Sequence, residues 1–135
     1  MKIKLRVDPN NQWFVNIVVK IGNHQSAVKF KIDTGCNALV LSHDTLTRLG
    51  ISAEATNLAK LPDETVRLAS GEKSPFKRLG TVSLLCVGTK PLPICTVPAI
   101  CHATRETNDL LGTEVLRRFG LVFFNLTGEA YMELQ

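Results

Sequence analysis

Apolar and polar positions alternate along this chain in short runs, and the period of each run names an element. Trp13-Phe14-Val15-Asn16-Ile17-Val18-Val19-Lys20-Ile21 is rich in β-branched and aromatic residues and stops at Gly22-Asn23-His24, which has the composition of a turn. Ala27-Val28-Lys29-Phe30-Lys31-Ile32 alternates strictly, as a half-buried strand does, so the two runs predict a hairpin. Ala38 to Leu41 is a short apolar run fit for a buried strand. Ser42 then caps a short helix carrying Leu46 and Leu49, and Gly50 stops it. Residues 51 to 63 are polar and follow no period. Val66 to Ser70 alternates and turns at Gly71-Glu72, Gly80 to Val87 is a further strand, and Leu92 to Ile100 is extended because Pro91, Pro93 and Pro98 exclude a helix. Leu111, Val115, Leu116 and Phe119 recur at helical spacing, with Thr113 as cap and Gly120 as stop. Leu121 to Leu126 and Ala130 to Leu134 are strands around a turn. Strands at such short intervals predict a mainly β protein closed, or nearly closed, into a barrel with one or two short helices.

Composition narrows the function classes. At 135 residues, with 44% hydrophobic and 21% charged residues, the chain is expected to form a single domain, 1–135, with a core of its own. No apolar run approaches the roughly 20 residues of a membrane helix, and the first residues alternate charge with apolar side chains rather than forming the apolar stretch of a signal peptide. A cytoplasmic protein without membrane contact is the expectation. The net charge of +4 is spread along the sequence, and the adjacent basic pairs Lys77-Arg78 and Arg117-Arg118 have no interleaved aromatics, so a nucleic-acid partner is not expected. Cys36, Cys86, Cys95 and Cys101 show no Cys-x-x-Cys spacing. Cys95, Cys101 and His102 are conceivable zinc ligands, but structural zinc sites use closely paired ligands. Isolated cysteines read as small buried hydrophobes in reduced form. No metal and no cofactor is expected.

One position carries candidate chemistry. Asp33 follows the strand ending in Ile32 and precedes Thr34 and Gly35, so its carboxylate leaves a core strand at a tight turn where glycine permits close approach. Thr34 offers a hydroxyl able to donate and accept. At average usage this triplet or its Ser variant arises by chance in roughly one chain of this length in twenty, so alone it is weak. Its surroundings add weight: Phe30-Lys31-Ile32 before it, Ala38-Leu39-Val40-Leu41-Ser42 after it, and Asp109-Leu110-Leu111-Gly112 leading into the last helix.

With these segments in this order, from about residue 13 to 134, the chain resembles the retropepsin-like family of aspartic proteases. The resemblance implies an all-β, closed-barrel acid-protease fold. It makes Asp33 the catalytic carboxylate, Thr34 a hydrogen-bonding partner across a dimer axis, and Gly35 the residue completing the turn. Leu110, Leu111 and Gly112 would pack beneath the active-site loop. Ser70, Gly71 and Glu72 would form the tip of a flap closing over a peptide or protein substrate. The terminal strands, Met1 to Val7 and Ala130 to Leu134, would pair between subunits.

A homodimer also follows from chemistry. Aspartic protease catalysis needs two carboxylates about 3 Å apart sharing one proton. Of five aspartates (Asp8, Asp33, Asp44, Asp63, Asp109) only Asp33 stands in the motif, so one chain supplies half a site. The expected function is an endopeptidase; the alternative is a catalytically silent dimerisation or peptide-binding domain with the same barrel. Departures from the family pattern are Cys36, where Ala or Ser is usual, Asn37, where some viral relatives carry Asp, and a flap with Gly71 alone near its tip. Cys36 reads either as packing or as an oxidisable switch beside the loop. His24, His43 and His102 read as separate polar surface residues, and Asn125-Leu126-Thr127 as a chance glycosylation match.

Overall fold

The computed structural model describes residues 2–51, 63–67, 71, 73–102, 108–119, 122–124 and 129–133. They form eleven strands and two short helices: β1 (Lys2–Lys4), β2 (Arg6–Val7), β3 (Trp13–Ile21), β4 (His24–Ile32), β5 (Leu39–Val40), α1 (His43–Arg48), β6 (Asp63–Arg67), β7 (Lys73–Val87), β8 (Lys90–His102), β9 (Asp109–Leu111), α2 (Thr113–Phe119), β10 (Val122–Phe124) and β11 (Ala130–Glu133). The order β2-β3-β4-β9-β5-β8-β7-β6, with β7 returning to β3, closes six strands into a barrel. The mainly β expectation holds.

The β3–β4 hairpin forms where alternation placed it, with Phe14 opposite Lys31 and Ile21 opposite His24. Alternate residues Val15, Ile17 and Val19 on β3, with Val28 and Phe30 on β4, point inward and meet Leu39, Leu41, Leu84, Val97 and Leu111. Full burial of side chains of this size stabilises by roughly 1.5–3 kcal/mol each. Ser42 caps α1, its hydroxyl accepting from the Thr45 N–H, and Leu46 and Leu49 go into the core. Gly50 leaves the helix at φ +79, the left-handed conformation that glycine adopts without cost.

Two expectations need correction. Gly80 begins no strand: β7 runs unbroken from Lys73 to Val87, and Gly80 sits inside it at φ +89 beside a register shift against β8. A bulge lets a single strand bend there, and glycine is the residue that tolerates it. Thr113 is the first helical residue rather than the cap; the Gly112 carbonyl accepts from the Val115 and Leu116 N–H groups. Within the chain the terminal strands pair with each other. β1 lies antiparallel to β11, with Ile3 opposite Met132, and β10 takes the other edge of β11. Ile3, Leu5, Ala130 and Met132 are buried in the main core, so this three-stranded sheet packs against the barrel's interior. The expected strand at 66–70 is the end of β6, and 68–70 lie outside the described residues.

Candidate active site

Asp33 stands where β4 runs out. Its N–H donates to the Leu111 carbonyl at 3.1 Å, the last rung of the parallel β4–β9 ladder. The chain then turns tightly: the Cys36 N–H donates back to the Asp33 carbonyl at 3.2 Å, and the Gly35 N–H donates to Asp33 Oδ1 at 3.0 Å. One carboxylate oxygen is thus oriented by the backbone. A side chain at position 35 would press on that oxygen, since its Cβ would lie 3.3 Å away. Asp33 is half-buried, whereas Thr34 and Gly35 are exposed at the crest of the turn.

The loop is held from beneath. β9 lies between β4, to which it is parallel, and β5, to which it is antiparallel, so residues 33–38 pass over the end of β9. Where β9 becomes α2, three successive N–H groups face three successive loop carbonyls: Gly112 to Ala38 at 3.1 Å, Thr113 to Cys36 at 2.9 Å and Glu114 to Asn37 at 2.9 Å. The Thr113 hydroxyl also bonds Asn37 Oδ1 at 3.2 Å. Any Cβ on Gly112 would overlap the carbonyls of Ala38 and Cys36, so only glycine fits. Leu111 is fully buried under the loop, and half-buried Leu110 packs beside Cys36 and Ala38. The structure therefore brings together Asp33, Thr34, Gly35, Leu110, Leu111 and Gly112.

Beside the loop lies a second, smaller apolar cluster outside the barrel core. Val40, Phe76 and Ile100 form it, flanked by Cys36, Ala38 and Leu110. Phe76 comes from the β6–β7 hairpin, whose strands pair from Asp63–Lys77 to Arg67–Lys73. This hairpin occupies the expected flap position, but Ser70 and Glu72 lie outside the described residues; Gly71, at φ +87, is described. Arg78 closes the base of the hairpin by a two-pronged bond to Glu64, at 3.0 and 3.2 Å.

Asp109 has a part that its position in the motif did not reveal. Its carboxylate accepts from the Ser42 N–H at 2.7 Å and from the Thr45 hydroxyl at 2.9 Å, tying the start of α1 to β9. It is a structural clamp. Burial, the largest cause, pushes the Cys36 thiol above its usual range; the backbone of Ala38 opposes the rise and the nearby Asp33 charge adds to it. A thiol kept protonated is slow to oxidise, which favours the packing reading of Cys36. Among the described residues, no three His, Cys, Asp or Glu side chains converge to hold a metal, and no helix is long and apolar enough to cross a membrane.

No family model and no curated protein matches the sequence. Seventeen solved chains match the structure. One is the crystal structure of a retropepsin-like aspartic protease from Rickettsia conorii, with TM-score 0.63 and 18% identity over 98% of this chain and 88% of that one. What the two share at that identity is architecture, and the architecture is the retropepsin-like fold.

Proposed function

We propose that the chain is an aspartic endopeptidase acting as a homodimer, with one Asp33 from each copy forming the catalytic pair. The observation that carries this reading is the Asp33 turn itself. A carboxylate with one oxygen fixed by a backbone N–H, on a loop braced by Gly112, Thr113 and Glu114, is prepared for chemistry rather than for folding. The exposed crest at Thr34 and Gly35 supplies the surface on which a two-fold related copy would sit.

In the dimer, two carboxylates in contact share one proton. The ionised one takes a proton from water as the water oxygen adds to the peptide carbonyl, and the protonated one donates to the carbonyl oxygen. The tetrahedral adduct then collapses: the C–N bond breaks, the leaving nitrogen takes a proton, and an acid and an amine depart. The cluster of Val40, Phe76 and Ile100 beside the loop suits apolar side chains flanking the cut, and the β6–β7 hairpin suits a cover that excludes water. With both edges of β11 occupied in its own chain, the contact between copies would rest on the active-site loops and not on exchange of that strand.

The test compares the parent chain with Asp33→Asn on a mixed peptide library at several acidic pH values. A loss of roughly 10²–10⁴-fold, together with activity that rises more steeply than linearly with protein concentration, is the expected result. Equal cleavage by both chains removes the protease reading. Absence of cleavage by either favours the silent peptide-binding alternative.

A further inference from the structure

The basic residues look scattered in the sequence, yet the fold gathers a group of them. Inward residues of β3 and β4 alternate with outward ones, so Phe14 and Asn16 share the outer face with Lys29 and Lys31. The register sets them in rows: Arg6 opposite Phe14 opposite Lys31, then Asn16 opposite Lys29. Lys29 Nζ lies 4.4 Å from the centre of the Phe14 ring, which holds the ammonium against the sheet. Arg48 joins from α1, pinned by bonds to the Ala27 carbonyl and the Thr45 hydroxyl. A depression of about 480 Å³ lies between it and Lys29, lined also by Asn16, Val18, Ala27, Gly88 and Asp109. Two further depressions adjoin it through Asn16 and reach Arg6 and Lys90.

Among the described residues, Arg6, Lys29, Lys31, Arg48 and Lys90 form no ion pair. Two carboxylates border the face, Asp109 beside Arg48 and Asp8 beside Arg6. They accept from Ser42 and Thr45 and from the N–H groups of Asn10 and Gln12, and the five cations outnumber them. Lysines on adjacent rows repel, and a face that keeps them together is complementary to an extended anion. The face also runs into the candidate site, because Lys31 precedes Asp33 by two residues. Its open side is β2, an edge strand whose Val7 is 49% exposed, among the described residues the large hydrophobic most open to water. An edge strand with an apolar side chain and flanking cations is equipped to receive an extended polypeptide carrying acidic residues.

We propose that the outer face of β2–β4, from Arg6 across Phe14 to Lys29, Lys31 and Arg48, binds acidic segments of polypeptide and so delivers them to Asp33. The delivery rests on the protease reading; the binding does not. A nucleic acid is the less suitable occupant, since Lys29 already covers the Phe14 ring on which a base would stack.

The experiment uses the full chain carrying Asp33→Asn, so that binding is measured without turnover. Fluorescence anisotropy follows a labelled Glu-rich peptide, a Gln-rich control of equal length and a labelled oligothymidylate. The expected result is binding of the Glu-rich peptide alone, weakening with added salt and falling about tenfold or more when Lys29→Glu and Lys31→Glu are introduced together. Should that pair fail to fold, Lys29→Gln with Lys31→Gln is the substitute, with a smaller loss expected. Failure of the Glu-rich peptide to bind, equal binding of the Gln-rich control, unchanged affinity after the substitutions, or tighter binding of the oligonucleotide each overturns the proposal. An inactive parent chain that still shows the expected binding would sink the protease reading and leave this one standing.

Discussion

Two turns of the chain lie near the candidate site, and they are held to different extents. The loop from Asp33 to Ala38 is fixed by backbone: three N–H groups of residues 112–114, the Asp33 rung to Leu111, and a glycine that admits no substitute. The β6–β7 hairpin is paired to β8 only at its base, from Phe76 to Arg78, where side chains add to the hold, namely Phe76 in the small apolar cluster and the Arg78–Glu64 pair. From Lys73 to Pro75 the strand pairs with β6 alone among the described residues. Backbone bonds beneath a loop cost little entropy to maintain, because the flanking strands already fix both ends. Ion pairs between exposed side chains are worth little and are screened by salt. The difference separates a part that must hold a carboxylate still from a part able to move.

Substitutions can break that contrast or sharpen it. The largest effect is expected at Gly112. Gly112→Ala forces a methyl group onto the Cys36 and Ala38 carbonyls and should cost about 3 kcal/mol, read by denaturant unfolding; a cost near zero would show that the loop is not braced from below. Next comes Asp109→Ala, which strips acceptors from the Ser42 N–H and the Thr45 hydroxyl and should cost about 1–3 kcal/mol by the same measurement. Glu64→Gln should change stability by less than about 1 kcal/mol, since both partners are largely exposed, while raising hydrogen exchange in the hairpin ahead of the loop. Equal exchange in both regions would erase the distinction between them. The smallest effect is at Cys36. Its raised pKa leaves the thiol protonated at neutral pH, so alkylation by iodoacetamide should be slower than for a free cysteine and should accelerate only at strongly alkaline pH. Rapid modification at neutral pH would revive the switch reading.

What the sequence disclosed was local. The β3–β4 hairpin, the Ser42 cap, the Gly50 stop and the Asp33-Thr34-Gly35 turn each depend on neighbours a few residues away, and each is found where the pattern put it. What it hid was distant or interrupted. Asp109 bonds partners 64 and 67 residues away, and no spacing rule reaches that far. Gly80 reads as the start of a strand because glycine usually punctuates, yet here it bends one. Arg6, Lys29, Lys31 and Arg48 are dispersed in the chain and meet only because antiparallel register lines them up. The terminal strands belong to different ends of the sequence, so whether they pair within a chain or between chains is a tertiary outcome.

The unbroken course of β7 has a mechanical consequence. Its first half is an arm of the hairpin that also pairs with β8 from Phe76 on, and its second half is barrel wall, paired to β8 on one side and β3 on the other. The hairpin is thus a cantilever built into the wall rather than an appendage on a loop. The strand bends at Gly80, where the ladder slips and the backbone takes a positive φ. Load applied at the tip is met first by the rungs from Phe76 to Arg78 against β8 and by the Arg78–Glu64 clasp, and reaches that bend as torque only through them.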